Sequence, residues 1–117
     1  EAIVHYQAAA LADSLRISTW VDMGVCYYNL GQAREAEGRF QHALRLDPHH
    51  PVALFNMGIV HEQRQEFEPA LDFYHRAMNA APPENMREPL VTRMQEVMGK
   101  LGRSAPALDG PPPGSTP

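Results

Sequence analysis

Several things are scarce in this 117-residue chain, and each scarcity removes a class of protein. A single cysteine, Cys26, excludes an internal disulfide framework and any multi-cysteine zinc site. Ten Lys and Arg against fourteen Asp and Glu give a formal net charge of −4. No basic footprint is left for tracking phosphates, so nucleic acid is excluded as an expected partner. No apolar run is long enough to span a bilayer and no secretory signal opens the chain, so no membrane insertion is expected. Together with a free thiol, this assigns the chain to the cytoplasm. Glu1 stands where a start methionine would, which reads as a piece cut from a longer protein. Glycine-rich phosphate loops are absent, as are nucleophile–base pairs in signalling contexts. The expectation is therefore a non-enzyme without a cofactor. Hydrophobic residues at 44% and charged residues at 21% are ordinary for a soluble domain.

Proline marks the edges. Five of the eleven prolines fall between Ser104 and Pro117, beside Gly110 and Gly114, with Leu108 the one sizeable apolar side chain. Such a stretch buries too little to offset its ordering entropy, so residues 103–117 are read as a disordered Pro/Gly-rich tail or linker. In the body, Pro48, Pro51, Pro82 and Pro83 sit at breaks between periodic segments, where a missing N–H does no harm.

Sliding the chain by 34 residues lays Ile17–His50 over Pro51–Glu84 with five identities: Met23/Met57, Gly24/Gly58, Ala36/Ala70, Ala43/Ala77 and Pro48/Pro82. Roughly two would arise by chance at ordinary composition. Trp20, Met23, Gly24 and Tyr27 fall at i, i+3, i+4, i+7, one face of a helix. Ala36, Phe40, Ala43 and Leu44 share a face in the same way, and so do Ala70, Tyr74, Ala77 and Met78. This spacing predicts helices at about 17–30, 33–46, 51–64 and 67–80, with Gly24 letting paired backbones close up beside Phe40. Gly31 suits a left-handed helix end. Gln65 holds the equivalent place, at a cost of about 1 kcal/mol or with a shifted cap. After Pro83, Leu90, Met94, Val97 and Leu101 trace a further helical stripe, started either by an Asn85–Glu88 capping box or by Glu88 ahead of Pro89.

Trp20, Met23, Gly24, Tyr27, Ala36, Phe40, Ala43 and Pro48 resemble the tetratricopeptide repeat (TPR), whose pattern is W-x2-L-G-x2-Y followed by small, aromatic, small and proline positions. The second copy reads Leu54, Met57, Gly58, His61, Ala70, Tyr74, Ala77, Pro82, departing at Leu54 and His61. Ala2, Tyr6 and Ala9 fall one period earlier and look like the second helix of a truncated repeat. The resemblance covers Glu1 to about Gly102. It implies an all-α, right-handed solenoid of antiparallel helix pairs: residues 1–13 a half repeat, 17–50 and 51–84 full repeats, 85–102 a capping helix.

The resemblance also implies a use. First helices of TPR repeats line a concave groove for a partner's peptide or helix. The groove positions here are Val21, Val25, Tyr28 and Asn29, then Val52, Phe55, Asn56, Ile59 and Gln63, with Ser18, Asp22 and Glu62 beside them. This set is largely apolar, and exposed apolar sets usually mark interaction surfaces. Some TPR domains instead grip a C-terminal carboxylate through paired cations and asparagines. Asn56 matches one asparagine, but Val21 and Val25 replace cations and only Arg93 stands nearby, so a carboxylate would lack its counter-charge. The reading is therefore a non-catalytic scaffold for an apolar protein segment. Alternatives are self-association through an exposed N-terminal edge (Ile3, Tyr6, Ala10, Leu11) or a docking arm of a larger enzyme. Cys26 is read as an inert core thiol. The six histidines are read as a solvated face with no metal, and His61 as a half-buried packing residue.

Overall fold

The backbone turns around Pro48 and again around Pro82 and Pro83, and it runs straight through Ser14–Ile17, where the repeat has no proline. The computed structural model describes residues 2–102, with side chains from Leu15 onward; the tail assigned to 103–117 lies outside the described residues. Five helices follow in order: α1 (Ala2–Asn29), α2 (Ala33–Leu46), α3 (Pro51–Gln63), α4 (Phe67–Asn79) and α5 (Glu84–Lys100). The described chain is all-α, and α1–α2 and α3–α4 pack as the two principal hairpins, with α2 against α3 and α4 against α5.

The boundaries of α2, α3 and α4 match the periodicity to within a residue, but α1 does not. Two helices parted near residues 14–16 were expected, and one helix of 28 residues is found. The second copy shows why. Between α2 and α3, Asp47 folds its carboxylate onto the His49 amide at 3.1 Å, Pro51 occupies the first helical turn, and His50 caps the Ala53 amide at 3.3 Å. Pro48 and Pro51 cannot donate to an i−4 carbonyl, so a straight helix is blocked there. The equivalent positions in the first copy are Ser14 and Ile17. Both supply an N–H, and Thr19 adds a hydroxyl bond to the Leu15 carbonyl at 2.8 Å.

A second correction concerns α5. Neither Asn85 nor Glu88 caps it; the helix starts one residue after Pro83, whose φ of −54° and ψ of 149° already direct the chain into it. Pro89 lies inside the helix, and both it and Asn85, whose carbonyl it leaves without a helical donor, are exposed.

Both first helices end in the same hydrogen-bonded loop. Gln32 N bonds Tyr27 O at 2.9 Å and Gly31 N bonds Tyr28 O at 3.0 Å; Glu66 N to His61 O and Gln65 N to Glu62 O repeat the pattern, both at 2.9 Å. This geometry requires a left-handed residue, and Gly31 has φ 79° while Gln65 has φ 62°. A side chain in that region is strained by roughly 1 kcal/mol or more. Gln65→Gly is therefore expected to raise unfolding stability by about 1 kcal/mol, read from urea midpoints at unchanged slope. An unchanged midpoint would show that the Gln65 side chain relieves the strain elsewhere.

The core falls into two clusters that follow the repeat. Val21, Ala36, Phe40 and Ala43 of the first hairpin pack with Ala53, Met57 and Val60 of α3. Leu54, Ala70, Leu71, Tyr74 and Ala77 of the second hairpin pack with Leu90, Val97 and Met98 of α5. The capping helix thus covers α4 much as α3 covers α2.

Candidate functional site

α1, α3 and α5 share one wall. α1 touches α3 directly, and α3 is tied to α5 by a side-chain cluster centred on Glu62. That carboxylate has only 12% of its side chain exposed. Its Oε1 accepts from the Tyr74 hydroxyl at 2.6 Å and from Arg93 Nη1 at 3.2 Å. Burial and the bond to Glu62 push the Tyr74 hydroxyl far above the ordinary tyrosine range. Burial also raises Tyr28, whose hydroxyl feels the Arg93 charge pulling the other way and the Glu62 charge adding to the rise. One residue from each wall helix, Tyr28, Glu62 and Arg93, therefore meets in a single electrostatic neighbourhood. Arg93 is committed to Glu62, so it offers little to a partner's carboxylate.

Around this cluster, Val25, Tyr28, Val52, Phe55, Asn56 and Ile59 are all half-buried. Asn29 and Gln63, one repeat apart, are exposed at the same edge of their helices. Phe55 rests its ring 5.8 Å from that of Tyr74. One of the sequence-assigned positions needs revision. Val21 is 4% exposed and belongs to the core with Phe40 and Met57, so it has no surface to present. Asn56 donates its Nδ2 to the Val52 carbonyl of its own helix at 2.9 Å, which leaves the side-chain oxygen as its acceptor toward an outside group.

The opposite side of α1 carries a feature that the sequence reading got wrong. Cys26 is exposed rather than a core thiol. Its counterpart one repeat later, Val60, is wholly buried because α2 lies over it. No described helix lies over Cys26, and Thr19, Asp22, Met23, Cys26, Tyr27 and Leu30 line an open hollow of about 470 Å³. Leu30 is 70% exposed. The signal was present in the sequence: the buried trio Ala53, Met57, Val60 has Thr19, Met23, Cys26 as its 34-residue antecedents.

His61 takes the packing role expected of it, stacked on Phe73 with ring centroids 5.3 Å apart and Nδ1 2.7 Å from Glu66 Oε1. Arg39 lies over both Trp20 and Tyr27, at 5.6 and 5.2 Å from the ring centroids. The Trp20 ring in turn lies against His42, centroids 4.0 Å apart and planes tilted by 41°. Among the described residues no group of three His, Cys, Asp or Glu side chains is placed to hold a metal ion, and no helix is long and apolar enough to cross a membrane.

Paired helices in a 34-residue period, a glycine under each second-helix aromatic ring and a closing helix define a TPR-type solenoid, the architecture of a protein-interaction module. Comparison with known proteins narrows this further: residues 1–104 match the family described as the cilia and flagella-associated protein 70 middle TPR-like domain, and the chain belongs to that family. Similar curated proteins include the probable UDP-N-acetylglucosamine–peptide N-acetylglucosaminyltransferase SPINDLY of Arabidopsis thaliana, 30% identical over 80 residues, which are 68% of this chain and 9% of that protein. Anaphase-promoting complex subunit 3 of Schizosaccharomyces pombe is 32% identical over 60 residues, 51% of this chain and 9% of its own length. Protein NPGR2 of Arabidopsis thaliana is 28% identical over 89 residues, 76% of this chain and 12% of its own. The chain thus spans about a tenth of the length of these relatives.

Proposed function

We propose that the α1–α3–α5 wall is a concave groove that binds a largely apolar peptide or helix of a partner protein, and that the chain acts as a non-catalytic scaffold segment in the cytoplasm. The observation that carries this reading is the row of half-buried apolar side chains on successive first helices: Val25 and Tyr28 on α1, Phe55 and Ile59 on α3. A stable hairpin needs its inward faces filled, and these lie on a different face from the glycine–aromatic seam. Apolar surface left there gains free energy only when something covers it. Asn29 and Gln63, at equivalent positions, supply amides that can hold an extended backbone in register, as the Asn56 oxygen can between them.

The test uses Val25→Glu with Ile59→Glu, equivalent sites at the centre of the wall. Phe55 is left alone because its ring supports Tyr74. Partners captured by the native chain from extracts of its own source should bind the double variant at least tenfold more weakly, a loss of about 1.4 kcal/mol. Far-UV circular dichroism checks that helix content is retained. Undiminished capture by a folded variant would reject the groove.

A further inference from the structure

Asp22, Val25 and Asn29 on α1 recur one repeat later as Asn56, Ile59 and Gln63 on α3, so the two rows of the wall present the same polar–apolar–polar order. They differ in charge, because a carboxylate stands where α3 has an amide. Asn56 turns its Nδ2 onto the Val52 carbonyl of its own helix. Glu62, the other acid at a wall position, is held by the Tyr74 hydroxyl and by Arg93. Asp22 is exposed and makes no hydrogen bond or ion pair among the described residues. At 100° per residue it lies about 60° round α1 from Val25 and about 40° short of Cys26. It therefore occupies the ridge between the apolar wall and the open hollow, whose lining includes Met23, Cys26 and Leu30.

A segment that fills the wall and crosses α1 covers this carboxylate. Were the segment wholly apolar, it would strip water from Asp22 and return nothing, a loss larger than the gain from the apolar contact beside it. A guanidinium or ammonium group replaces the lost water, and between apolar side chains it is attracted more strongly than in open solvent. We propose that the partner segment carries an arginine or lysine side chain that pairs with Asp22 as it crosses α1, flanked by apolar side chains on the wall and in the hollow. The pairing rests on the groove proposed above and narrows its occupant to an apolar segment with one cation. The net charge of −4 draws such a segment in from a distance. An acidic residue at the same place in the partner is repelled, and Arg93, tied to Glu62, does not offset that.

The probe is a phage-displayed library of random peptides selected on the immobilised 117-residue chain. Enriched peptides should share a Lys or Arg at one fixed place beside apolar residues, and selection on the Asp22→Lys chain should put Asp or Glu there instead. Lysine has the higher helix propensity, so Asp22→Lys should keep the native helix content. A synthetic copy of an enriched peptide should bind Asp22→Lys about tenfold more weakly. It should bind Asp72→Lys, the same charge change at an exposed site on α4, within about twofold of native, since distant charges are screened. Bound peptide should also slow alkylation of Cys26, the chain's single thiol, one turn along α1 from Asp22, several-fold. Peptides that need Val25 and Ile59 but share no cation, an affinity indifferent to Asp22→Lys, an equal loss with Asp72→Lys, or unslowed alkylation each overturn the pairing and leave the groove standing. Peptides whose binding survives Val25→Glu with Ile59→Glu, or no enrichment at all, overturn the groove and the pairing together.

Discussion

Gly58→Ala is expected to destabilise the chain by about 3 kcal/mol, although the same exchange at an exposed helical glycine is stabilising. The reason is the ring of Tyr74, which lies directly on the Gly58 backbone. A Cβ there would overlap the ring edge and stand only 3.0 Å from its Cζ. Overpacking of this kind costs about 1–3 kcal/mol when neighbours can yield, and more when they cannot. Tyr74 cannot readily yield: its ring is wholly buried and its hydroxyl is fixed to Glu62 at 2.6 Å. Gly24→Ala meets Phe40 in the same way, with Cδ1 and Cζ at 2.7 and 2.8 Å. Phe40 has no polar tether, so a somewhat smaller loss is expected there. Gly38 in α2 is the control. Nothing lies within 4 Å of a Cβ at that position, and Gly38→Ala should gain about 1 kcal/mol from helix propensity alone. Thermal melts separate the cases, with a fall of roughly 15 °C for Gly58→Ala. A melt within two or three degrees of native would mean that the hairpins open without loss, and the close approach would no longer explain the repeat's glycine.

Those glycines were also what made the fold legible. Gly24 with Phe40 and Gly58 with Tyr74 are local signals of a long-range contact, because a small residue at one position has a purpose only if a large one sits over it. Gly31 announced its turn for a similar reason: the left-handed conformation leaves few alternatives. The break expected before Ile17 was illegible from periodicity, since an apolar face continues across a turn and across a straight helix alike. Only the absence of proline at Ser14 and Ile17 distinguishes them. Cys26 was misjudged because burial is a property of neighbours. The residue matches Val60 in register, but Val60 has α2 above it and Cys26 has no described helix there.

The wall was legible as a set of positions and illegible as an electrostatic object. Val25, Tyr28, Phe55 and Ile59 could be placed on it by helical spacing, and their half-burial agrees with that placement. Val21 could not be separated from Val25 by type, and only the wedge between α1, α2 and α3 decides that one is core and the other wall. The Glu62–Arg93 contact spans 31 residues and the Tyr74–Glu62 contact 12, on three helices whose relative rotation no local pattern specifies. Sequence alone presents Arg93 as a spare cation beside a groove. The structure pairs it with a largely covered carboxylate, which changes what the wall can attract.

Tyr74→Phe isolates that cluster, and its expected cost is about 2 kcal/mol. Removing the hydroxyl leaves the ring in place but takes from Glu62 its shortest hydrogen bond, in a site with 12% side-chain exposure. Hydrogen bonds to a charged group contribute about 1.5–3 kcal/mol, and a carboxylate left short of donors loses solvation it cannot recover. Arg93 remains at 3.2 Å, but its side chain is 39% exposed and water screens its attraction. In a Glu62→Met background the hydroxyl has no carboxylate to serve, so Tyr74→Phe should fall below about 0.5 kcal/mol, and the coupling in a double-mutant cycle should exceed 1 kcal/mol. The pH dependence gives an independent reading. Burial, with the bond to Glu62, raises the Tyr74 pKa in the folded chain, so the protonated phenol is favoured by folding. That stabilisation is fully present below the unfolded tyrosine pKa near 10 and is lost as pH climbs above it toward the folded value. The native chain should therefore lose stability above about pH 10 more steeply than Tyr74→Phe does. A difference between the two that stays constant from about pH 9 to 11 would show that the hydroxyl titrates as though in water, and the cluster joining α3, α4 and α5 would have to be abandoned.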